Sequence, residues 1–312
     1  MASISRKLRF VAWTGASKRK PFDRLAAAAT VKAIPNDEVI FEENEALSAV
    51  EAVEVGSTTD PTCFALLALR DYDNRPLGWG PGTLPKPIRI AKGTYTADLA
   101  YVVMWADNVA AIEMYPNSPG LGRLQRYLSN MAGQRVMFRS LYQPDLVERL
   151  KDLKSLRGVE LGVYEPEKAK ALAGTGLSSL VPPAFGPKVP SFHVSGGVGR
   201  HGGPDASFDK ELSDEIIRLA QKADEYFDSL KITGKSKSQV SAAGNALTVT
   251  INLVNERIQV EQTFPGAQGG GNTPDRGRVV ARFNAARKTL GKVLEDAVEA
   301  RIASIPDVEE DE

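Results

Sequence analysis

Short blocks of apolar residues, separated by polar ones, predict a chain that contains both strands and helices. Residues 8–13 and 63–69 are nearly continuous apolar runs and predict buried strands. Residues 100–105 and 109–115 flank Asp107-Asn108, which predicts a hairpin because Asp and Asn tolerate the positive φ angles of tight turns. Further strands are predicted over residues 135–138, 159–164, 247–251 and 258–262.

Apolar residues that recur every three or four positions predict helices in the C-terminal third. One series runs from Leu212 to Leu230 and predicts a single amphipathic helix of about six turns. A second series predicts a long last helix, with Thr273 as its N-cap and Pro274 at its first position. The stripe of this helix either packs on its own domain or forms a coiled-coil seam with a second copy. It consists of Val279, Phe283, Ala286, Leu290, Val293 and Ala297.

A segment rich in proline and glycine divides the predicted elements. Residues 181–206 contain five prolines and six glycines, as long loops and linkers do. We therefore predict an N-terminal α+β domain (1–165), a linker region (166–206) and a C-terminal helix–strand–strand–helix domain (207–312). The predicted fold class is α+β, with mixed or antiparallel sheets, flanking helices, a long C-terminal helix and two lobes.

The composition is that of an ordinary globular protein, 42% hydrophobic and 25% charged. No apolar run approaches the roughly 18 residues that a membrane-spanning helix needs. The basic start precedes only a short apolar run, which indicates a first strand and not a signal peptide. The single cysteine, Cys63, cannot form an internal disulfide, and this agrees with a reducing compartment. We expect a cytoplasmic protein with an inert core thiol.

The net charge is zero, but the charges are unevenly distributed. Residues 123–157 carry eight bases and three acids, and residues 231–292 carry ten bases and three acids. Such clusters either attract a polyanion or form solvated faces without a partner. We expect Lys231, Lys235 and Lys237 to form a mobile basic loop, and Arg278 and Arg282 to share a helix face. The residues assigned to a DNA-binding surface are Arg123, Arg126, Lys231, Lys235, Lys237, Arg276, Arg278 and Arg282.

Motifs for nucleotide binding and nucleophilic catalysis are incomplete. Residues 197–202 match GxGxxG, but they lack the strong preceding strand and the immediate helix of a dinucleotide site. Gly234-Lys235-Ser236 lacks the earlier glycine of a phosphate-binding loop. The two histidines, His193 and His201, and one cysteine are too few for a structural zinc site, and Ser195 is too close to them for a persuasive triad. We expect no enzyme activity, cofactor or metal.

Two other functions stay open. Asp145 and Glu160 approximate the acid pair of a metal-dependent nuclease or toxin, although the lysine expected two residues later is Gly162. A protein–protein interaction module is the other alternative, with its basic segments as solvated faces.

The order of elements resembles that of the RexA-type phage-exclusion (abortive infection) proteins. The resemblance spans most of the chain and is one of pattern, since no invariant motif carries it. It rests on Phe10-Val11-Ala12-Trp13 and the helix after it, the hairpin around Asp107-Asn108, Val136-Met137-Phe138-Arg139-Ser140-Leu141 leading into Asp145-Leu146-Val147, and Val159-Glu160-Leu161.

This resemblance implies a two-domain cytoplasmic homodimer that binds double-stranded DNA without sequence preference. It implies a role in antiviral defence against phage, with a membrane-embedded effector protein as a possible partner. The family offers no catalytic motif, and it does not assign the DNA contacts to particular residues here.

Overall fold

The structure is a computed structural model that describes residues 3–15, 22–35, 38–43, 46–70, 77–78, 86–87, 95–116, 118–133, 135–164, 166–178, 192–198, 206–221, 223–240, 246–265 and 274–303. The elements in chain order are β1 (Ser3–Gly15), α1 (Arg24–Ala33), β2 (Ile40–Glu43), β3 (Ala46–Glu54), β4 (Thr62–Arg70), β5 (Leu77–Gly78), β6 (Lys86–Pro87), β7 (Thr96–Met104), β8 (Val109–Met114), α2 (Leu121–Met131), β9 (Val136–Ser140), α3 (Leu146–Lys151), β10 (Leu153–Val163), α4 (Pro166–Ala173), β11 (Phe192–Gly197), α5 (Lys210–Ala220), α6 (Ala223–Tyr226), β12 (Ser229–Val240), β13 (Ala246–Asn252), β14 (Gln259–Pro265) and α7 (Val279–Ala303).

The chain folds into two compact units. Unit 1 comprises Met1–Leu141 and Ile258–Glu312, and unit 2 comprises Tyr142–Arg257. Both are built on antiparallel sheets with flanking helices, which confirms the α+β class, the long C-terminal helix and the two lobes. No helix within the described ranges is long and apolar enough to cross a membrane.

The sheet of unit 1 has the strand order β14-β1-β8-β7-β4-β3-β2, and β9 joins it as a third partner of β1. The first part of β1 pairs with β14 and the last part pairs with β9, whereas its middle pairs with β8. Because β8 overlaps both of the other partners along β1, β14 and β9 must share the opposite edge. β1 is therefore the strand that joins the two ends of the chain in one sheet.

Alternation along β1 places a hydrophobic layer on each face of this sheet. Leu8 and Phe10 belong to the core that α7 covers, whereas Val11 and Trp13 belong to the core under α1 and α2. Unit 1 thus has three layers, with one helix on one face and two helices on the other.

The hairpin predicted around Asp107-Asn108 is confirmed. β7 and β8 pair as antiparallel strands, with Met104 opposite Ala110 next to the turn. Asn108, in the turn, adopts a positive φ of 65°. The sequence signal was reliable because this turn depends only on neighbouring residues.

Unit 2 contains a four-stranded antiparallel sheet with the order β11-β10-β12-β13. Its inner face supplies Leu161, Ile232 and Ile251 to a core that also includes Leu150 of α3 and Leu219 of α5. The four short helices α3 to α6 all contribute buried residues to this core, and no helix of the described part of unit 2 lies on the other face of the sheet.

The long helix predicted from Leu212 to Leu230 is not present. α5 ends at Ala220, α6 is a short separate helix, and Leu230 lies in β12. Leu230, like Ile232 after it, is an inward position of a strand, and it fits the helical spacing of the predicted series only by coincidence.

The division into units differs from the predicted domain boundaries. β13 pairs with β12 in unit 2, whereas β14 pairs with β1 in unit 1, so the two strands predicted as one pair belong to different sheets. The predicted linker contains α4 and β11, which are parts of unit 2. Its residues 179–191 and 199–205 lie outside the described ranges.

The start of the last helix also differs from the prediction. Thr273 is not among the described residues, and Pro274 precedes the helical segment. Asp275 is the cap: its Oδ1 accepts a hydrogen bond from the backbone N of Gly277 at 3.0 Å, at the start of a 3₁₀ turn.

α7 bends sharply at Gly291, whose backbone angles are φ 39° and ψ −117°. Before the bend, Val279, Phe283 and Ala286 are buried; after it, Leu294 and Val298 are buried. All five belong to the core on one face of the unit 1 sheet. The apolar stripe therefore packs on its own domain, as one of the two predicted uses requires, and the bend leaves Val293 37% exposed.

Candidate nucleic-acid interface

The three lysines predicted to form a mobile loop lie instead on a regular strand. Lys231, Lys235 and Lys237 occupy alternate positions of β12, while the intervening Ile232 and Ser236 are buried. Period-2 alternation thus places all three lysines on the outer face of the unit 2 sheet. The prediction of a loop was wrong because it ignored this alternation.

The strands beside β12 present small polar residues on the same face. Thr248, Thr250 and Asn252 of β13 are the register partners of Lys235, Thr233 and Lys231. The hydroxyl oxygens of Thr233 and Thr250 lie 3.1 Å apart. On the other side, Gly158 of β10 pairs with both Thr233 and Gly197, so no side chain rises at that point. We call these residues, with the three lysines, the outer lysine face.

A glutamate pairs with one of the lysines on this face. Glu160 Oε1 accepts a hydrogen bond from Lys231 Nζ at 2.7 Å, and the two side chains are 48% and 41% exposed. An ion pair so exposed contributes only about 0–1 kcal/mol, and a stronger anion can replace the carboxylate. Among the described residues whose register places them on the face, three lysines therefore face one glutamate.

Asp152, which follows α3, forms hydrogen bonds with the C-terminal part of β12. Its carboxylate accepts hydrogen bonds from the hydroxyl groups of Ser236 and Ser238 and from the backbone N of Ser238. These bonds, with that of Ser236 the most important, hold the pKa of Asp152 below its ordinary value. Lys237 Nζ in turn donates to the carbonyl of Lys151. The strand that carries the lysines is thus anchored at this end.

Arg123 and Arg276, both in unit 1, are engaged in internal contacts. Arg123 Nη1 donates to Leu47 O at 3.0 Å and to Ser48 Oγ at 2.9 Å, which attaches α2 to β3. Burial lowers the pKa of this arginine. Arg276 forms a two-pronged pair with Glu51 at 2.6 and 3.1 Å, and these hydrogen bonds raise its pKa.

The remaining arginines of the predicted surface are exposed. Arg278 lies 3.7 Å from Asp275, and Arg282 makes no ion pair among the described residues. Arg126 is exposed on α2. Of the eight predicted residues, the structure brings the three lysines together on one face of unit 2 and places the five arginines in unit 1.

The residues considered for catalysis lie on several different elements. His193 and Ser195 lie on β11, where they pair with Gly162 and Glu160 at the edge of the outer lysine face. Gly234-Lys235-Ser236 is part of β12 and not of a loop. His201 and residues 199–202 of the GxGxxG match fall outside the described ranges. Cys63 is buried, and burial raises the pKa of its thiol.

The acid pair considered for a nuclease has other partners. Asp145 lies 3.9 Å from Arg149, and Glu160 pairs with Lys231. Across the described part of the chain, no group of three or more His, Cys, Asp or Glu side chains could hold a metal ion.

Sequence reasoning missed the outer lysine face as a surface, although it named the lysines. The signal was present in Leu230-Lys231-Ile232-Thr233 and in Thr248-Val249-Thr250-Ile251, where polar and apolar residues alternate strictly. Reading both segments as neighbouring strands would have placed lysines beside threonines.

The chain matches no protein-family model, and a search of curated protein sequences finds no significant match.

Proposed function

We propose that the protein binds double-stranded DNA without sequence preference and that the outer lysine face of unit 2 makes the principal contact. The observation that carries the proposal is the alignment of Lys231, Lys235 and Lys237 on one face of the unit 2 sheet. Successive outward positions of a strand are about 6.6 Å apart, so the lysines form a narrow basic line.

The chemistry of the face suits phosphate contact and not base reading. Lysine is a flexible point charge that reaches phosphates without a fixed geometry, and threonine hydroxyls donate to phosphate oxygens. No side chain projects from the face at Gly158 and Gly197, so a broad polyanion can approach the backbone closely there. The described part of this face contains no helix that could enter a major groove.

The arginines of unit 1 differ in what they can add. Arg278, in the 3₁₀ turn before α7, and Arg282, in the first part of α7, are exposed and are available for further phosphate contacts. Arg123 and Arg276 would first have to give up hydrogen bonds inside unit 1. We therefore expect substitutions of the outer lysines to weaken DNA binding more than substitutions of these two arginines.

The decisive experiment measures binding of the full chain to two unrelated 20-bp duplexes by fluorescence anisotropy across a salt series. Each phosphate that the protein neutralises contributes about −0.9 to the log–log salt slope. Lys235→Gln/Lys237→Gln should weaken binding to both duplexes equally and make the slope shallower by about 2. Thermal melting should show that the variant is folded, since both side chains point outward.

The matched control is Lys170→Gln/Lys210→Gln, which removes two exposed lysines from α4 and α5 of the same unit. It should leave affinity and slope unchanged. Absence of binding to either duplex at low salt would refute the proposal, and an equal loss in the control would refute the assignment to the outer lysine face.

The resemblance to RexA-type proteins supplies the biological setting of the proposal. We propose that the protein acts as a homodimer in phage exclusion and that a membrane protein is its effector. A solution mass of twice the 33.7 kDa of the chain would support the dimer. Unchanged plaque counts in cells that express the protein would count against the defensive role.

A further inference from the structure

An open pocket of about 400 Å³ lies at the bend of α7 in unit 1. Asn284, Arg287 and Lys288 line it from the helix before the bend, and Leu294 and Glu295 line it from the helix after the bend. Asp107, in the turn between β7 and β8, closes a third side. The volume lies within the range of about 300–1,000 Å³ that small-molecule sites commonly have.

Trp105 holds part of this lining in place. Its ring stacks against Phe10 in the core, and the Arg287 guanidinium lies over the ring at 5.1 Å from the centroid. Its indole N–H donates to Asn284 Oδ1 at 2.7 Å. This bond orients the amide of Asn284, whose N–H donors remain available to a ligand. Arg287 also pairs with Asp107, so these two lining charges neutralise each other.

Two lining charges remain after that pairing. Lys288 and Glu295 are both exposed, and within the described residues neither forms an ion pair. They lie on opposite sides of Gly291, the residue at which the helix bends. The pocket thus offers one ammonium group and the Asn284 donors before the bend, and one carboxylate after it.

We propose that this pocket binds a small zwitterion of amino-acid or dipeptide size. The carboxylate of the ligand would lie against Lys288 and the Asn284 amide, and its ammonium group against Glu295. A ligand with only one charge would leave either Lys288 or Glu295 without a counter-charge in a partly enclosed site. The charge pattern of the pocket therefore selects for both groups in one molecule.

The experiment follows the indole N–H signal of Trp105 in two-dimensional NMR spectra of the full chain, which contains three tryptophans. Glycylglycine is the zwitterionic probe, and N-acetylglycine and ethylamine are probes with one charge each. Glycylglycine should shift the Trp105 signal and saturate with a dissociation constant on the order of 1 mM. Each singly charged probe should bind about three- to tenfold more weakly.

Lys288→Gln and Glu295→Gln should each weaken glycylglycine binding by about three- to tenfold. Lys292→Gln and Glu299→Gln remove exposed charges from the same helix outside the pocket and serve as matched controls. The proposal is overturned if glycylglycine leaves the Trp105 signal unmoved, if N-acetylglycine or ethylamine binds equally well, or if the controls lose as much affinity as the pocket variants.

Discussion

Unit 1 contains a buried ion pair between a residue of β1 and a residue of β8. Arg6 Nε donates to Glu113 Oε1 at 2.9 Å, and the two side chains are only 10% and 1% exposed. The Arg6 guanidinium also lies over the Tyr115 ring, 4.4 Å from its centroid. Burial raises the pKa of Glu113, although the backbone N–H of Tyr101 and the Arg6 charge act in the opposite direction. The pair is therefore sensitive to the loss of either member.

We predict that Glu113→Ala lowers the free energy of unfolding by about 3 kcal/mol, because it removes the carboxylate from a buried ion pair. Replacing both residues with apolar ones, as in Arg6→Met/Glu113→Leu, should recover most of this loss. Urea denaturation of the wild type and the two variants measures the difference. A Glu113→Ala variant as stable as the wild type would contradict this account of the pair.

The same pair predicts how the free energy of unfolding depends on pH. Because the pKa of Glu113 is raised above its ordinary 4.5, the folded protein holds this proton more tightly than the unfolded chain. The contribution of Glu113 to the free energy of unfolding is therefore fully present below pH 4.5 and falls as the pH rises through the folded-state pKa. The difference in stability between the wild type and Arg6→Met/Glu113→Leu should decrease over that range.

At the scale of elements, the sequence predicted what depends on neighbouring residues and missed what depends on distant ones. Asp107-Asn108 defines a turn locally, and the stripe of α7 was recognised by its own periodicity. The partner of β14 could not be read from the sequence, because β1 lies at the other end of the chain. The strand β12, which carries the lysines, was missed because Leu230 fits the helical spacing of the residues before it. The helix itself ends at Ala220.

The bend of α7 leads to a prediction at this scale. Gly291 has a positive φ, so Gly291→Ala should destabilise the protein by about 1–2 kcal/mol even though an added methyl group would meet nothing within 4 Å. Gly122 in α2 is the control, since its methyl group would lie 3.5 Å from the end of the Arg126 side chain and its backbone is helical. Gly122→Ala should stabilise the protein by about 0.5–1 kcal/mol. Thermal melting distinguishes these opposite signs, and a stabilising Gly291→Ala would argue against the bend.

At the scale of the whole molecule, unit 2 is one continuous segment, whereas unit 1 is assembled from two. The two ends of unit 2 are held together, since Tyr142 pairs with Arg257 and the backbone N of Gln143 donates to Glu256 O at 2.9 Å. Unit 2 also has a hydrophobic core of its own. These features are those of an independently folding insertion.

We predict that residues 142–257, expressed alone, fold cooperatively and bind duplex DNA through the outer lysine face.

A chain that stops after residue 257 should keep a folded unit 2 but lose the cooperative unfolding of unit 1, because β14 and α7 are removed. Circular dichroism during urea denaturation and the anisotropy assay test both fragments. An unfolded 142–257 fragment would show that the insertion needs the rest of the chain.

The position of β1 also determines how the protein must be made. On the ribosome, β1 emerges before unit 2, but the strand that pairs with its first half and the helix that covers one face of its sheet are synthesised only after all of unit 2. Until then the nascent chain exposes an unpaired strand edge and an uncovered apolar face, the features that promote aggregation during folding. Unit 2 can fold before synthesis is complete, whereas completion of unit 1 must wait until α7 has left the exit tunnel.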